Sequence, residues 1–423
     1  MTQQYLVNKT YFTSERYPEN IKQRLLSTIL QTLRKNRERY LAPLSTEKIL
    51  SKLNQVVKHW LNLQSPIRQK AENLLTQTTG CSKEVISEGL DLAFNEVRHL
   101  FLRKNAKILS QFPRPQLSSF IFGGMVPTPM LFDIFMGLLL KSAVIVKTPS
   151  RAPFFPILLA HSIYEVDPSL GSCVKALWWP GGKWNLEKMI FKEADLIHAY
   201  GDDKSIKEIE ALIPPKKIFI KFGHKVSFSV IGKEKLKGPL HLLAEKMAYD
   251  ICLYDQQGCV SPHVIYLEKV NFLNPIAWTR ALADAMEKMT RKFPPGHLSL
   301  GEASLIHQIR GQYSLREKTL CLSSHPNPNW TVIYEENPEF HPSCLNRVIF
   351  IKPIAHIKNL PQILKKWRGN FQALGYAVSP ERKKEVERIS KSLSIPFLLP
   401  IGSMQNTSFK DHIEERLNQL RNN

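Results

Sequence analysis

From about residue 113 onward, short apolar runs with strand character alternate with helical patterns, and this alternation constrains the fold more than any other feature. Ala143–Lys147, Val174–Trp178, Leu196–Ala199 and Lys217–Ile220 are nearly continuous apolar runs, and Pro129–Leu140, Ala152–Tyr164 and Lys204–Leu212 carry helical periodicity. Strands separated by helices pair in parallel, because the chain needs a crossover to return to the same edge. Runs apolar on both faces are covered on both faces. A second such segment begins near residue 255, with strands at Val264–Leu267, Trp330–Tyr334, Val348–Ile351, Phe371–Val378 and Pro396–Leu399, helices near 274–290 and 381–393, and a helical tail from Lys410. Residues 18–108 read instead as helices, with starts marked by Ser45–Thr46 and Ser82. The expected organisation is a helical N-terminal region over 1–108, an α/β domain over 109–254 and a second α/β domain over 255–423. Met130–Val146, the most apolar stretch, is interrupted by Asp133 and Lys141 and reads as a buried helix and strand rather than a membrane span.

The chain has 423 residues, 43% hydrophobic and 22% charged, which excludes a mainly disordered protein. Its 58 Lys and Arg against 37 Asp and Glu leave a net charge of +21, a preference for polyanions without a choice among them. The basic run Arg34–Arg39, broken by Glu38, reads as a solvated helix face, and no nucleic-acid motif appears. The six cysteines form no CxxC pair and no zinc spacing, so no metal is expected. Met1–Tyr5 carries no apolar signal core, and a cytoplasmic chain with reduced thiols is the expectation.

Four segments could carry chemistry. In Asp255-Gln256-Gln257-Gly258-Cys259-Val260-Ser261-Pro262-His263, a cysteine beside a glycine lies in a polar loop between a helix and a strand, where a thiolate can attack a thioester or carbonyl. A small buried packing residue is the alternative. Lys147 ends an apolar strand ahead of Thr148-Pro149-Ser150-Arg151, the position where α/β sheets bind ligands, and can hold a ribose hydroxyl or a phosphate, or be an ordinary surface lysine. Tyr200-Gly201-Asp202-Asp203 reads as an acid-capped helix start rather than a phosphate cradle. Phe222-Gly223-His224 could line a cleft, with His224 a proton donor or a structural residue. No GxGxxG occurs.

Taken together with Gly123-Gly124-Met125-Val126-Pro127, Asn370–Tyr376 and Leu399–Gln405, these segments resemble the bacterial long-chain acyl-CoA reductases, which include the fatty acid reductase of bioluminescence systems and belong to the aldehyde dehydrogenase superfamily. The resemblance covers roughly residues 110 to 405, and Asp255–Pro262 is its specific part. It implies an aldehyde-dehydrogenase-like fold: a Rossmann-like parallel sheet domain for the cofactor (109–254), an α/β catalytic domain (255–423) and the helical N-terminal region. It implies that Cys259 attacks an acyl thioester and that hydride from NADPH releases a fatty aldehyde. Cys259 and His224 are the implied catalytic residues, Lys147, Ser150, Arg151, Gly201 and Gly223 the cofactor contacts, and Met125, Gln257 and Gly258 the substrate contacts. Implied partners are a long-chain acyl-CoA or an acylated synthetase or carrier protein, with a homo-oligomeric state and peripheral membrane contact both compatible. Two departures stand out. Lys221 stands where hydrolytic relatives carry the glutamate that activates water, which favours reduction over hydrolysis. Met125 stands where the family has an asparagine, whose amide would donate to the developing oxyanion. No carboxylate follows Lys147 closely, which favours NADPH over NADH. An acyltransferase of the same fold, and an inactive basic scaffold, are the competing readings.

Overall fold

The computed structural model describes residues 4–7, 10–13, 23–98, 109–270 and 275–422. The expected helical character of 18–22 and 99–108 lies outside them. The chain divides into two compact units: Met1–Thr79, Leu90–His224 and Ser408–Asn423 form the first, and Gly80–Gly89 with Lys225–Thr407 the second.

The first unit begins with an antiparallel hairpin, β1 (Gln4–Val7) and β2 (Thr10–Thr13). Helices α1 (Gln23–Asn36), α2 (Thr46–Leu61), α3 (Pro66–Thr79) and α4 (Lys83–Arg98) follow, the start of α4 belonging to the second unit. Ser45 caps α2 by accepting from the Lys48 N–H, as its position ahead of an apolar periodic run requires. Trp60 of α2 stacks on Phe94 of α4 at 4.7 Å and donates its indole N–H to Ser162 at 2.9 Å, which docks the helical region onto the α/β layer. The basic run at the end of α1 is not a purely solvated face. Arg34 donates to the Glu193 carbonyl and to Gln116, and Arg37 donates to the Lys141 carbonyl at 2.9 Å, because carbonyls at the ends of neighbouring elements need donors. Lys35 and Arg39 are exposed.

The α/β layer runs β3 (Leu117–Ile121), α5 (Pro127–Leu139), β4 (Ala143–Lys147), α6 (Phe154–Val166), β5 (Val174–Leu177), α7 (Trp184–Glu193), β6 (Leu196–Tyr200), α8 (Asp203–Glu210) and β7 (Ile218–Phe222). The five strands are all parallel, in the order β5-β4-β3-β6-β7. The strand order therefore reverses between β3 and β6, the crevice where doubly wound sheets take ligands. One sheet face buries Leu117, Ile145 and Ile197 against Leu30 and Leu33 of α1 and Ile190 and Phe191 of α7.

The second unit holds β8 (Val226–Ile231), α9 (Leu240–Cys252), β9 (Pro262–Glu268), α10 (Pro275–Lys292), α11 (Leu300–Ser314), β10 (Thr319–Ser323), β11 (Thr331–Glu335), β12 (Val348–Ile354), β13 (Phe371–Ala377), α12 (Lys383–Ser392) and β14 (Phe397–Pro400). Its seven strands order as β10-β11-β12-β9-β8-β13-β14, parallel except for the antiparallel β10–β11 pair. Along β9, Val264 and Tyr266 enter one core and Ile265 and Leu267 the other, the period-2 signature of a strand covered on both faces. The division by contact falls at 224/225, whereas the sequence reading puts its boundary at 254/255, because β8 and α9 continue the strand–helix rhythm without a break.

The last helix, α13 (Phe409–Asn422), returns to the first unit rather than staying with the second α/β segment. Arg416, fully buried, donates its Nε–H to Asp133 Oδ1 at 2.8 Å and another N–H to the Tyr200 hydroxyl, which itself donates to Asp133 Oδ2 at 2.7 Å. Burial alone would raise the Asp133 carboxyl, but Arg416, His198 and Tyr200 hold it down at about 2. Gln419 accepts from the Lys221 N–H at 3.1 Å and so satisfies part of the outer edge of β7. Among the described residues no helix is long and apolar enough to cross a membrane. Replacing Arg416 by Met strands a buried carboxylate and is expected to destabilise the protein by about 3–5 kcal/mol in urea unfolding at pH 7. Asp133 contributes stability that is present above its unfolded pKa near 4 and is lost as pH falls through about 2, so the gap between wild type and variant is expected to narrow on acidification.

Candidate active site

In the first unit, the residues singled out from sequence all follow the carboxyl ends of strands. Met125 comes after β3, Lys147, Ser150 and Arg151 end or follow β4, Gly201 follows β6, and Gly223 and His224 follow β7. The loops after β3, β6 and β7 abut. A Cβ on Gly123 would sit 2.6 Å from the Tyr200 carbonyl oxygen, and one on Gly223 would sit 2.7 Å from Asp203 Oδ1, so neither position admits a side chain without rearrangement. The Gly201 N–H donates to the Phe222 carbonyl at 3.1 Å. Asp202 caps α8 by accepting from the Ser205 N–H at 2.7 Å, and Asp203 accepts from the His224 N–H at 3.2 Å. The turn is acid-capped, as the two aspartates lead one to expect. Met125 is buried, and Ser150, Arg151 and His224 are exposed. Lys221 is exposed and pairs with Glu210 at 2.8 Å.

Lys147 sits over the Trp179 ring, 5.9 Å from its centre, and the Trp179 indole N–H donates to the buried Glu187 at 3.2 Å. Burial lowers the Lys147 pKa, and the nearby Glu187 carboxylate opposes that shift. Reading along the chain finds no acid close behind Lys147, but the fold brings Glu187 to it from α7, forty residues on in sequence. The helix itself, which follows Pro180-Gly181-Gly182, is the signal that would have placed it. This edge fits a dinucleotide: it has the strand-order reversal, loops packed so closely that Gly123 has no room for a Cβ, and a cation at the end of β4.

In the second unit, Cys259 lies between α9 and β9, and Gln257, Gly258 and Cys259 form one loop. Its approach is strained. Tyr254, Asp255 and Gln256 have φ of 54°, 50° and 65° in succession, and Leu345, Asn346 and Arg347 form a second such run at 65°, 52° and 64°. Left-handed backbone costs roughly 1–2 kcal/mol for each non-glycine residue. The two runs are hydrogen-bonded to each other. The Asn346 N–H donates to the Asp255 carbonyl at 3.0 Å, and the Gln256 amide donates to the carbonyls of Pro262 and Val348 at 2.7 and 2.9 Å. Arg347 meets Asp255 Oδ1 at 2.7 Å. Burial raises the Asp255 carboxyl, with Arg347 and the Gly296 N–H pulling against it. Downstream, the Ser227 hydroxyl donates to the Cys259 carbonyl at 2.7 Å, and Gln405 donates to Ser261 at 2.8 Å and to the Asp250 carbonyl at 2.9 Å. Burial pushes the Asp250 carboxyl up to about 7, opposed by the N–H groups of Gly402 and Met404.

All six cysteines are thiols, and Cys259 alone is exposed. Burial pushes Cys173 up to about 12 and Cys252 and Cys344 up to about 11, which suppresses their thiolates. Iodoacetamide at pH 8 is therefore expected to alkylate Cys259 at least about tenfold faster than Cys173, Cys252 or Cys344, read by peptide mass over time.

Comparison with known proteins agrees with this layout. The acyl-CoA reductase (LuxC) family pattern matches residues 41–412. Long-chain acyl-protein thioester reductases are similar to this chain. The one from Aliivibrio fischeri is 27% identical over 60% of this chain and 52% of its own length, the one from Vibrio harveyi 24% over 68% and 59%, and the one from Photorhabdus luminescens 27% over 77% and 70%. The chain spans about half the length of the first of these relatives. Among solved structures, an NAD-dependent benzaldehyde dehydrogenase from Corynebacterium glutamicum superposes with a TM-score of 0.71 at 11% identity, covering 98% of this chain and 96% of its own. A glyceraldehyde-3-phosphate dehydrogenase from Methanocaldococcus jannaschii, complexed with NADP, gives 0.70 at 12% identity, covering 98% and 97%. The fold is that of the aldehyde dehydrogenases.

Proposed function

Because this chain belongs to the acyl-CoA reductase (LuxC) family, we propose that it reduces a long-chain fatty acyl thioester to a fatty aldehyde through an S-acyl intermediate on Cys259. The observation that carries this reading is the exposed Cys259 thiol on its strained loop, in a chain of this family and fold. The Cys259 sulfur bonds to the thioester carbon and the carbonyl oxygen takes up the charge. The bond to the departing sulfur then breaks, and that sulfur leaves with the electron pair and takes up a proton. NADPH, when bound, supplies hydride to the S-acyl carbon, and collapse of the resulting thiohemiacetal returns aldehyde and the Cys259 thiol.

Residues 109–254 serve the cofactor and 255–423 the chemistry in this reading. Lys147, Ser150 and Arg151 hold the ribose and its 2′-phosphate, Gly201 and Gly223 let the backbone approach the cofactor closely, and His224 supplies the proton to the departing thiol. Met125, Gln257 and Gly258 are the residues this reading gives to substrate contact. Because Met125 offers no donor, the oxyanion falls to the backbone N–H at Cys259. The position aligned with the water-activating glutamate is Lys221, held by Glu210, so hydrolysis of the acyl-enzyme is slow and reduction is its main exit. The acyl donor is a CoA or protein-bound thioester, in line with the names of the relatives, and the +21 net charge suits such acidic partners. We place the enzyme in the cytoplasm as a homo-oligomer, with peripheral membrane contact compatible.

Mixing reduced protein with hexadecanoyl-CoA and no NADPH is expected to add one acyl mass to the Cys259 peptide. Cys259→Ala should abolish both adduct and aldehyde, and aldehyde formation by that variant overturns the reading. Adding NADPH should discharge the adduct as aldehyde. A stable adduct that transfers only to other thiols would instead favour the acyltransferase reading that Met125 supports. Arg151→Ala is expected to weaken NADPH binding about tenfold and NADH binding less than about twofold, read by equilibrium titration.

A further inference from the structure

The two left-handed runs beside Cys259 share one fixing point. Arg347, 1% exposed, spends its guanidinium on four groups at once: Asp255 at 2.7 Å, the Phe293 carbonyl at 2.9 Å, the Pro294 carbonyl at 3.3 Å and the Thr290 hydroxyl at 3.4 Å. Asp255 uses its other carboxylate oxygen to accept from the Gly296 N–H at 3.0 Å. The 254–256 run, the 345–347 run and the end of α10 therefore converge on one buried pair. None of the six residues in the left-handed runs is glycine, so the local sequence opposes this backbone and outside contacts must impose it. Cys259 follows four residues after Asp255. Ser227 fixes its carbonyl on the downstream side, and upstream Asp255, Gln256 and Gln257 are all anchored, the Gln257 amide donating to Asn346 Oδ1 at 3.4 Å.

We propose that Arg347 is a positioning residue for the Cys259 nucleophile: acting through Asp255, it holds the 254–259 segment in the backbone that presents the thiol to the acyl carbon. This deepens the reading of Cys259 given above and rests on it. Arg347 lies outside every segment whose chemistry is evident from the sequence. Its fork can satisfy one carboxylate and three further oxygens together, whereas a lysine ammonium, a single point on a flexible stem, cannot span them. A correctly aimed sulfur matters for attack on a carbonyl and much less for alkylation by a small mobile reagent.

The test uses full-length Arg347→Lys, Arg347→Met and Asp255→Asn proteins, with circular dichroism to establish folding. Three quantities are read on each: single-turnover acylation of Cys259 by hexadecanoyl-CoA, alkylation of Cys259 by iodoacetamide, and amide hydrogen exchange over 254–259 and over β9. For Arg347→Lys we expect the saturating acylation rate to fall at least thirtyfold with half-saturation within twofold. Alkylation should stay within threefold, and exchange over 254–259 should rise at least tenfold while β9 is unchanged. Asp255→Asn should follow the same pattern, which keeps the proposal open to test if an Arg347 variant does not fold. Wild-type acylation rates in the folded variants, a change confined to half-saturation, or unchanged exchange over 254–259 would overturn it. Loss of folding in all three would also overturn it, by making the pair structural only. If the wild-type protein takes no acyl group at all, the proposed reaction fails, and the exchange measurement alone then decides on the clamp.

Discussion

The Asp133–Arg416 pair closes the first unit. Asp133 sits on α5, directly against the five-stranded sheet, and Tyr200 ends β6 at the mouth of the crevice. Their shared partner comes from α13, so the last helix fixes a helix that packs on the sheet and a strand whose end leads into the Gly201 turn. A buried ion pair adds little when compared with a well-packed apolar replacement, and its value lies in geometry: only one orientation of α13 satisfies Asp133, Tyr200 and the edge of β7 together. Phe222 stacks on Tyr200 at 4.4 Å and carries the Arg416 guanidinium over its ring, so the loop before Gly223 inherits the same registration.

The second unit meets a similar demand by different means. A thiol that stays exposed cannot have its loop secured by burying the residue itself. Cys259 is exposed, while Asp255 and Gln256 just before it and Ser261 just after it are buried and hydrogen-bonded. Polar side chains fix the backbone on either side and leave the thiol exposed. Cys173 and Cys252 show the opposite arrangement, in which packing buries the sulfur and raises its pKa.

Much of this was legible in the sequence where apolar periodicity and burial coincide. β4 has the expected bounds, and β5, β6, β9, β12 and β13 differ by a few end residues, because strands covered on both faces leave a dense apolar signature. α11 left none: of its apolar side chains only Ile306 and Tyr313 are buried, while Leu300 and Leu305 are exposed, so no face stands out. β10 is a half-buried edge strand and gives an equally weak pattern. At the candidate site, Cys259, Lys147 and the glycine turns could be picked out by local motif. Glu187, Arg347 and Arg416 could not, because each acts on a partner 40, 92 or 283 residues away and only the fold brings the two together. The roles proposed for the motif residues rest on family resemblance, since spacing alone leaves Cys259 balanced between nucleophile and packing residue.

The return of α13 also has a consequence for synthesis. β7 emerges from the ribosome well before the helix that covers its edge, and at about 5–20 residues per second the interval runs to tens of seconds. For that time the nascent sheet presents the open outer edge of β7 and an Asp133 carboxylate still without its Arg416 partner. The first unit, although it begins first, cannot finish first. Its assembly waits on the second unit having been made, and a chaperone that shields open sheet edges would find its natural client in this intermediate rather than in the completed protein.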